Sequence, residues 1–238
     1  MSYRWLVLRL EAPLMAFGGV AIDQVGPVRD FPSASMIIGL VGNALGWHWR
    51  DRTKHQTVQD RLVFGARREK EGTIVTDVQN AQLAKTDKGW TTRGEPDGRD
   101  GASYGAPHRR VRDYHADTTV RVVMRFTDES MPTLDDVANA IESPNRPLYI
   151  GRKPCLPSHP LIDSGSDRWA TGTTVHEALG SIPGDGEMRA LWPVEEGPES
   201  GDNVDRVIDL ADIRNWHTGF HAGWRRVVEG RLKPASTA

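Results

Sequence analysis

The strongest constraint on the fold is an alternating run of apolar and charged side chains, TTVRVVMRF, at residues 118–126. The even-numbered positions from 120 onward are valine, valine, methionine and phenylalanine, whereas positions 121 and 125 are arginines. Successive side chains of a strand point to opposite faces, so this period of two predicts a strand with one face against a core. The chain must therefore build a sheet that includes this segment.

Other segments supply further strands and two helices. Three more strands are predicted, at residues 3–10, 61–67 and 72–82. A helix begins after the N-cap Ser33 and runs to about His48, and a second one, at residues 133–144, begins at the cap Thr133. Helices and mostly antiparallel strands in this order predict an α+β fold, a ferredoxin-like sandwich of the kind that RNA-recognition-motif domains also have.

A hydrophilic tract rich in Gly, Asp and Arg, residues 83–113, interrupts this pattern. It is too long for an ordinary connection between two elements, so it is expected to be functional or mobile. We place an insertion at about 83–116 within a domain that spans residues 1–145. Strong patterns are scarce after this domain, so residues 146–238 are expected to form a smaller, irregular part that contains β-structure.

The first predicted helix is unusually apolar and rich in glycine. Residues 31–49 carry no charge, but proline, serine, asparagine and histidine make the stretch too polar for an isolated membrane span, so we expect a buried helix. Gly39, Gly42 and Gly46 fall on one side of it and predict tight packing against the sheet. One cysteine and an N-terminus unlike a signal peptide favour a cytoplasmic protein without a membrane partner.

The charge of the chain is unevenly distributed. The net charge is −2, but residues 185–212 hold nine acidic and two basic side chains, which leaves the remainder at +5. Residues 104–125 contain five arginines and two aspartates. A local basic face matters more for nucleic-acid binding than the value for the whole chain, so a nucleic-acid partner is compatible with this composition.

Two segments are candidates for binding phosphate. HRRVRDYH, at residues 108–115, carries arginines whose planar groups suit phosphate, with Tyr104 and Tyr114 as stacking surfaces nearby. The alternative is a solvated charged loop. Arg29, together with Ser33 and Ser35 at the start of the first helix, could hold a phosphate at the helix N-terminus, and structural capping is the alternative there.

Two Cys and His patterns could indicate chemistry. PLYIGRKPCLPSHPL, at residues 147–161, holds Cys155 and His159, and its four prolines exclude a helix or an inner strand. We favour a structural interpretation over a nucleophile or half a metal site: Cys155 as a small buried hydrophobe, and His159 hydrogen-bonded to the proline-rich loop. His217 and His221 have helical spacing, but the aromatic stripe beside them indicates packing, so no metal site is expected.

Three stretches in a characteristic order carry a resemblance to a known family. They are LVLRLEAPLMAFG at 6–18, GPVRDFPSASMIIGLVGNALG at 26–46 and LYIGRKPCLPSHPL at 148–161. The chain resembles the CasD subunits of type I-E CRISPR Cascade, RAMP-superfamily proteins that hold the 5′ handle of crRNA. The segment at 111–124 is similar to the part of that family that returns from its thumb.

The resemblance implies a ferredoxin-like domain with a long β-hairpin thumb and a role as a structural, non-catalytic RNA-binding subunit. The implied partners are the crRNA handle, a CasC-type backbone subunit, a CasA-type large subunit, the other Cascade subunits and, indirectly, target DNA. No cofactor or metal is implied. The residues expected to contact RNA are Arg29, Ser33, Ser35, His108, Arg109, Arg110, Arg112, Tyr149, Arg152 and Lys153.

An alternative function follows from the same resemblance. Relatives in type I-C systems cut precursor crRNA without a metal, through a constellation that includes Tyr, Lys and His. Tyr114, His115 and His108 could supply part of such an acid–base site. The sequence therefore leaves an endoribonuclease as the second hypothesis.

Overall fold

The computed structural model describes residues 2–81, 89–90, 96–97 and 108–236. Within these ranges the helices are α1 (Ala34–Ala44), α2 (Arg52–Arg61), α3 (Leu134–Glu142) and α4 (Val175–Ser181). The strands are β1 (Tyr3–Glu11), β2 (Leu14–Met15), β3 (Val25–Gly26), β4 (Leu62–Lys70), β5 (Thr73–Ala81), β6 (Gly89–Trp90), β7 (Pro96–Asp97), β8 (His108–Ala116), β9 (Thr119–Phe126), β10 (Trp169–Gly172), β11 (Met188–Pro193), β12 (Val204–Arg214) and β13 (His221–Leu232). The fold is thus a mixture of helices and mostly antiparallel strands, as the sequence predicts.

The main sheet runs in the order β10-β1-β9-β4-β11-β13-β12, and all its pairs are antiparallel. The strand predicted most strongly, β9, lies between β1 and β4. Both faces of the sheet are covered: Val122 and Met124 pack with residues of α1 and α3, and Val123 packs with residues of α4. Each such buried side chain stabilises the fold by roughly 1.5–3 kcal/mol.

The C-terminal part contains the β-structure that the sequence predicts, but it is not irregular. Strands β10 to β13 continue the sheet of β1, β9 and β4, and β12 and β13 are the longest of the described strands. Strand β12 has no clear alternating pattern in the sequence, because register shifts interrupt it on either side of Ile213 and much of it is exposed. The division of the chain at 145/146 stays a prediction, although one sheet contains strands from both sides.

Helix α1 is a buried helix, as predicted, but its glycines do not pack tightly against the sheet. Gly39 has open space around it, and a Cβ on Gly42 would meet the ring of His55, a side chain of α2. Gly46 has a φ of +74° and lies just beyond the C-cap, so the helix ends at Ala44, before the predicted His48. The three glycines therefore have three different environments.

Local sequence signals predict helix α3 but not helix α2. Helix α3 has the predicted cap: the Thr133 hydroxyl accepts a hydrogen bond from the Asp136 amide, and the Asp136 carboxylate accepts one from the Thr133 amide. Helix α2 was not predicted, because its buried face is made largely of polar side chains such as His55 and Gln59. In the part of the chain that the structure describes, no helix is long and apolar enough to cross a membrane.

A second, smaller sheet is built around β8. Strand β5 pairs with one edge of β8 along its whole length, and β2 and β3 both pair with the other edge of β8. We call β5 and β8 the thumb hairpin. It begins at Thr73, earlier than the predicted insertion at about 83–116, and Tyr104 lies outside the described residues. The ladder of β4 with β9 has a register shift between Arg68 and Lys70 and ends at Lys70 opposite Thr119, and the ladder of β5 with β8 begins at Thr73 opposite Ala116.

Candidate nucleic-acid interface

The thumb hairpin exposes two arginines of the predicted basic segment. Arg109 lies opposite Asn80, and Arg110 lies opposite Gln79, so neither faces a carboxylate across the hairpin. Both residues are exposed, and within the described residues neither forms an ion pair. His108 is half-buried at the start of β8. As far as the described residues show, the two guanidinium groups can therefore meet an external phosphate without breaking an ion pair.

Arg152 and Arg112, which were also predicted to bind RNA, form hydrogen bonds within the protein. The Arg152 guanidinium donates to the carbonyl oxygens of Asp113 (2.9 Å) and Gly26 (3.1 Å) and lies 4.7 Å above the ring of Tyr114. Arg112 donates to the Gln24 carbonyl at 3.1 Å. These contacts fasten the Gly-Arg-rich loop, residues 148–161, and the β3 strand to the thumb hairpin. RNA contact by these two side chains stays a prediction and would use their remaining donors.

The Gly-Arg-rich loop is held against the segment after β2 by its own backbone. The Ala16 amide donates to the Ile150 carbonyl (3.2 Å), and the Ile150 amide donates to the Cys155 carbonyl (2.8 Å). Ile150 and Cys155 are buried between these contacts, whereas Lys153 is exposed and Tyr149 is half-buried. The loop thus presents Lys153 to solvent on the same part of the molecule that Arg152 ties to the thumb hairpin.

Cys155 is the small buried hydrophobe that the sequence predicts. Its side chain is part of the main core, and burial raises the pKa of the thiol. His159 is exposed and lies 3.7 Å from a carboxylate oxygen of Glu11, so the prediction that it hydrogen-bonds the proline-rich loop is wrong. A buried neutral thiol is a poor nucleophile, and the geometry does not favour a Cys and His site.

Cys155 is expected to resist thiol reagents in the native protein. A reagent can reach it only after local opening, and an opening free energy of about 3 kcal/mol already slows labelling about a hundredfold. Because the chain has one cysteine, the labelling rate followed by mass spectrometry reports this site alone. The same reaction in denaturant gives the reference rate, and a native rate close to that reference would contradict the buried position.

The predicted phosphate site at the start of α1 is already filled by the protein. A carboxylate oxygen of Asp212 accepts a hydrogen bond from the Ala34 amide at 3.0 Å and pairs with Arg225 at 2.9 Å. Ser33 is buried, and its hydroxyl accepts from the Met36 amide at 3.2 Å. The buried Asp212 carboxylate thus already lies at the helix N-terminus, an arrangement that does not favour phosphate binding by Ser33. The sequence did not reveal Asp212, because it lies far along the chain in a strand that was not predicted.

The other two members of that predicted site are also engaged. Arg29 donates to the Ala211 carbonyl at 2.8 Å, and the Ser35 hydroxyl lies 3.2 Å from that of Ser33. Both residues are half-buried. Structural capping, the alternative considered from the sequence, describes this region better than phosphate binding does.

Tyr114 and His115, the candidate acid–base residues, lie inside the base of the thumb hairpin. They are 4% and 1% exposed. A ring nitrogen of His115 lies 2.7 Å from the Arg29 carbonyl, and burial lowers the pKa of this histidine. Neither side chain is placed where an RNA backbone could reach it, so the arrangement does not favour the endoribonuclease hypothesis.

The pattern at residues 216–224 does not form a helix. His217 lies in a turn and His221 begins β13, and Trp216 stacks on His55 with ring centroids 4.6 Å apart. Phe220 and Trp224 are exposed, so the predicted aromatic packing is wrong for these two side chains. Within the described ranges, no group of three or more His, Cys, Asp or Glu side chains could hold a metal ion.

Known proteins resemble this chain over most of its length. The sequence pattern of the family described as "CRISPR-associated protein (Cas_Cas5)" matches residues 5–228. A curated relative, "CRISPR system Cascade subunit CasD" of Escherichia coli (strain K12), is 24% identical over 66% of this chain and 69% of its own length.

Two solved structures share the fold. One, "CRISPR RNA-guided surveillance complex", has a TM-score of 0.66 at 19% identity and covers 97% of this chain and 90% of its own. The other, "Crystal structure of Cas protein", has a TM-score of 0.56 at 19% identity and covers 98% of both chains. The family pattern begins in β1 and ends in β13, and so includes the thumb hairpin and the Gly-Arg-rich loop. The chain therefore belongs to the Cas5 family of CRISPR-associated proteins.

Proposed function

We propose that this chain is the CasD-type subunit of a type I-E Cascade complex, where it binds the 5′ handle of crRNA. The observation that carries the proposal is the pair of exposed arginines, Arg109 and Arg110, on a thumb hairpin of a Cas5-family protein. The likeness to a protein named as a Cascade subunit supports the choice of complex.

The surface suits a single-stranded handle. Arg109 and Arg110 would contact phosphates, and Lys153 of the Gly-Arg-rich loop would add a third cation beside the thumb hairpin. The bases would be read where they are unstacked, because sequence-specific RNA recognition depends on single-stranded segments. Arg152 and Arg112 would contribute by fixing the loop and the hairpin relative to each other.

We further propose that the core of the sheet is ferredoxin-like. The elements β1, α1, β4, β9, α3 and β10 follow in the order β-α-β-β-α-β, with the thumb hairpin inserted between β4 and β9. The spatial order β10-β1-β9-β4 and the packing of α1 and α3 in the same core support this assignment.

The proposed role in the complex is structural. Because Tyr114 and His115 are buried and out of reach of an RNA backbone, they support RNA binding without cleavage. The proposed protein partners are a CasC-type backbone subunit, a CasA-type large subunit and the other Cascade subunits, with target DNA reached through the complex. We place this assembly in the cytoplasm.

Replacing Arg109 and Arg110 together with alanine is expected to weaken handle binding by at least about tenfold, because each charged contact contributes roughly 1.5–3 kcal/mol. The slope of log affinity against log salt should fall by about 1.4, since each phosphate contact of a single strand contributes about 0.7. The measurement is the affinity of the assembled complex for repeat-derived crRNA across a salt series.

A matched control removes two exposed arginines elsewhere. Arg4 and Arg231 pair with carboxylates outside the thumb hairpin, and the double variant Arg4→Ala/Arg231→Ala has the same change in net charge. It should leave the affinity and the salt slope near the wild-type values. Equal losses in both double variants would show that overall charge, and not the thumb hairpin, determines binding.

A further inference from the structure

The far end of the β12–β13 hairpin forms a second surface with cations and exposed aromatic rings. We call residues 213–226 the hairpin end; they comprise the last part of β12, the connecting turn and the first part of β13. This segment contains three arginines and two histidines and no acidic residue. It directly follows the acidic tract at residues 185–212, so its composition is a local departure.

The hairpin end is fixed in place by helix α2. Gln59 donates to the Arg214 carbonyl (2.8 Å) and accepts from the indole nitrogen of Trp216 (3.0 Å), and Trp216 stacks on His55. Arg52 donates to the His217 carbonyl at 2.8 Å. Contacts from several side chains of α2 thus hold the turn, and the exposed residues of the hairpin end are presented on a rigid base.

Two large aromatic side chains of the hairpin end face solvent. Phe220 is 77% exposed and Trp224 is 71% exposed. A third ring, Trp49 in the connection between α1 and α2, is 60% exposed and lies 5.8 Å from the Arg52 guanidinium that holds the turn. Several large exposed rings in one region of the surface form an apolar patch of the kind that marks binding sites.

The charge around these rings points to a nucleic acid. Arg214 and Arg226 are exposed and form no ion pair within the described residues, although Asp209 lies opposite Arg226 in the strand pair. The third arginine, Arg225, is paired with Asp212. Arg50 and Arg52 add two more exposed cations on the adjoining connection. Cations that track a backbone, together with aromatic faces on which bases stack, are the two components of a surface for single-stranded nucleic acid. A protein partner would use the same rings but does not require the excess of positive charge.

We propose that the hairpin end is a second contact surface for single-stranded nucleic acid, distinct from the thumb hairpin. Phe220 and Trp224 would stack on unpaired bases, and Arg214 and Arg226 would contact the adjoining phosphates. The hairpin end packs against α2, whereas the thumb hairpin packs against β2, β3 and the Gly-Arg-rich loop. The two surfaces are therefore separate, and the proposal goes beyond handle binding. The occupant is a single strand of either RNA or DNA, since both offer stacking faces and phosphates.

The test uses the full chain with Arg109→Ala/Arg110→Ala, so that the thumb hairpin contributes little to binding. Fluorescence anisotropy measures its affinity for a 15-nucleotide oligo-U RNA and for the matching oligo-dT DNA. Adding Phe220→Ala/Trp224→Ala is expected to weaken binding at least about tenfold, because each stacked base contributes roughly 1–3 kcal/mol. The ratio of the RNA and DNA affinities tells which strand the surface prefers.

Two controls separate stacking from other causes. Met131 is equally exposed, at 72%, and Met131→Ala should leave the affinity unchanged. Phe220→Leu/Trp224→Leu keeps apolar surface but removes the rings, so it should bind as weakly as the alanine variant. Crosslinking of an iodouridine-substituted oligonucleotide to the same Arg109→Ala/Arg110→Ala chain, mapped by mass spectrometry, should identify peptides that contain Phe220 or Trp224.

Three outcomes would overturn the proposal. One is an unchanged affinity in the alanine variant, and another is crosslinks confined to peptides outside the hairpin end. The third is unchanged oligonucleotide binding together with loss of a protein subunit from the assembled complex, which would make the hairpin end a protein-docking surface. Because the thumb hairpin is disabled in the binding assay, none of these outcomes depends on handle binding.

Discussion

Replacing Gly151 with alanine is expected to displace the Gly-Arg-rich loop and to lower the free energy of unfolding by roughly 3 kcal/mol or more. The φ of Gly151 is +85°, which L side chains rarely adopt, and a Cβ there would lie 1.5 Å from the Ala16 carbonyl oxygen. That oxygen belongs to the backbone, so it cannot move aside as a flexible side chain would. The loop must shift, and Arg152 would then lose its contacts with the Asp113 and Gly26 carbonyls.

The measurement is chemical denaturation of the full chain, followed by crRNA affinity in the assembled complex. We expect both to fall, because Lys153 and Arg152 move together with the loop. Gly165 provides a matched control: its φ is +69°, but nothing lies within 4 Å of the position of a Cβ. Gly165→Ala should show the cost of the backbone conformation alone, about 1–2 kcal/mol. If Gly151→Ala and Gly165→Ala have equal effects, the close approach to Ala16 does not constrain the loop.

Asp212→Ala is expected to destabilise the protein by roughly 3–5 kcal/mol, because removing one partner of a buried ion pair leaves the other charge uncompensated. The Asp212 side chain is 0% exposed, and the Arg225 side chain is 15% exposed. The substitution also removes the acceptor of the Ala34 amide at the start of α1. The measurement is the free energy of unfolding of the full chain from denaturant titration.

Two companion variants make this result specific. Asp209 lies on the same strand and is exposed, so Asp209→Ala should change stability by no more than about 0.5 kcal/mol. The double variant Asp212→Leu/Arg225→Met replaces the ion pair by apolar side chains and should recover much of the loss. A double variant as unstable as Asp212→Ala would mean that the contact with the Ala34 amide, and not the unpaired arginine, dominates.

The fold was predictable where a residue's environment is set by its near neighbours along the chain. The alternation in β9 and the capping box at Thr133 are local patterns, and the structure has both. Helix α2 and strand β12 were missed because tertiary contacts stabilise them: Gln59 of α2 bonds to Arg214, and Asp212 of β12 bonds to Arg225 and α1. Polar side chains that are buried against distant partners give no periodic apolar signal.

The candidate site, like the fold, could be predicted from the sequence only in part. The sequence identified the basic thumb strand and the Gly-Arg-rich loop, and it assigned Cys155 to the core. It could not tell which arginines are free, because that depends on partners far away in the sequence, such as Gln24 for Arg112 and Asp113 for Arg152. It also placed a phosphate at the start of α1, where a carboxylate from another part of the chain already lies.

The junction between the main sheet and the thumb hairpin has a mechanical consequence. A register shift lies between Arg68 and Lys70, and the ladder is interrupted after it, where Gly72 and Asp117 have φ values of +62° and +56°. A pulling force on a bound strand at Arg110 would reach this interruption before it reached the interior of the main sheet. We therefore expect the thumb hairpin to bend at its base while the ladder between β4 and β9 stays intact.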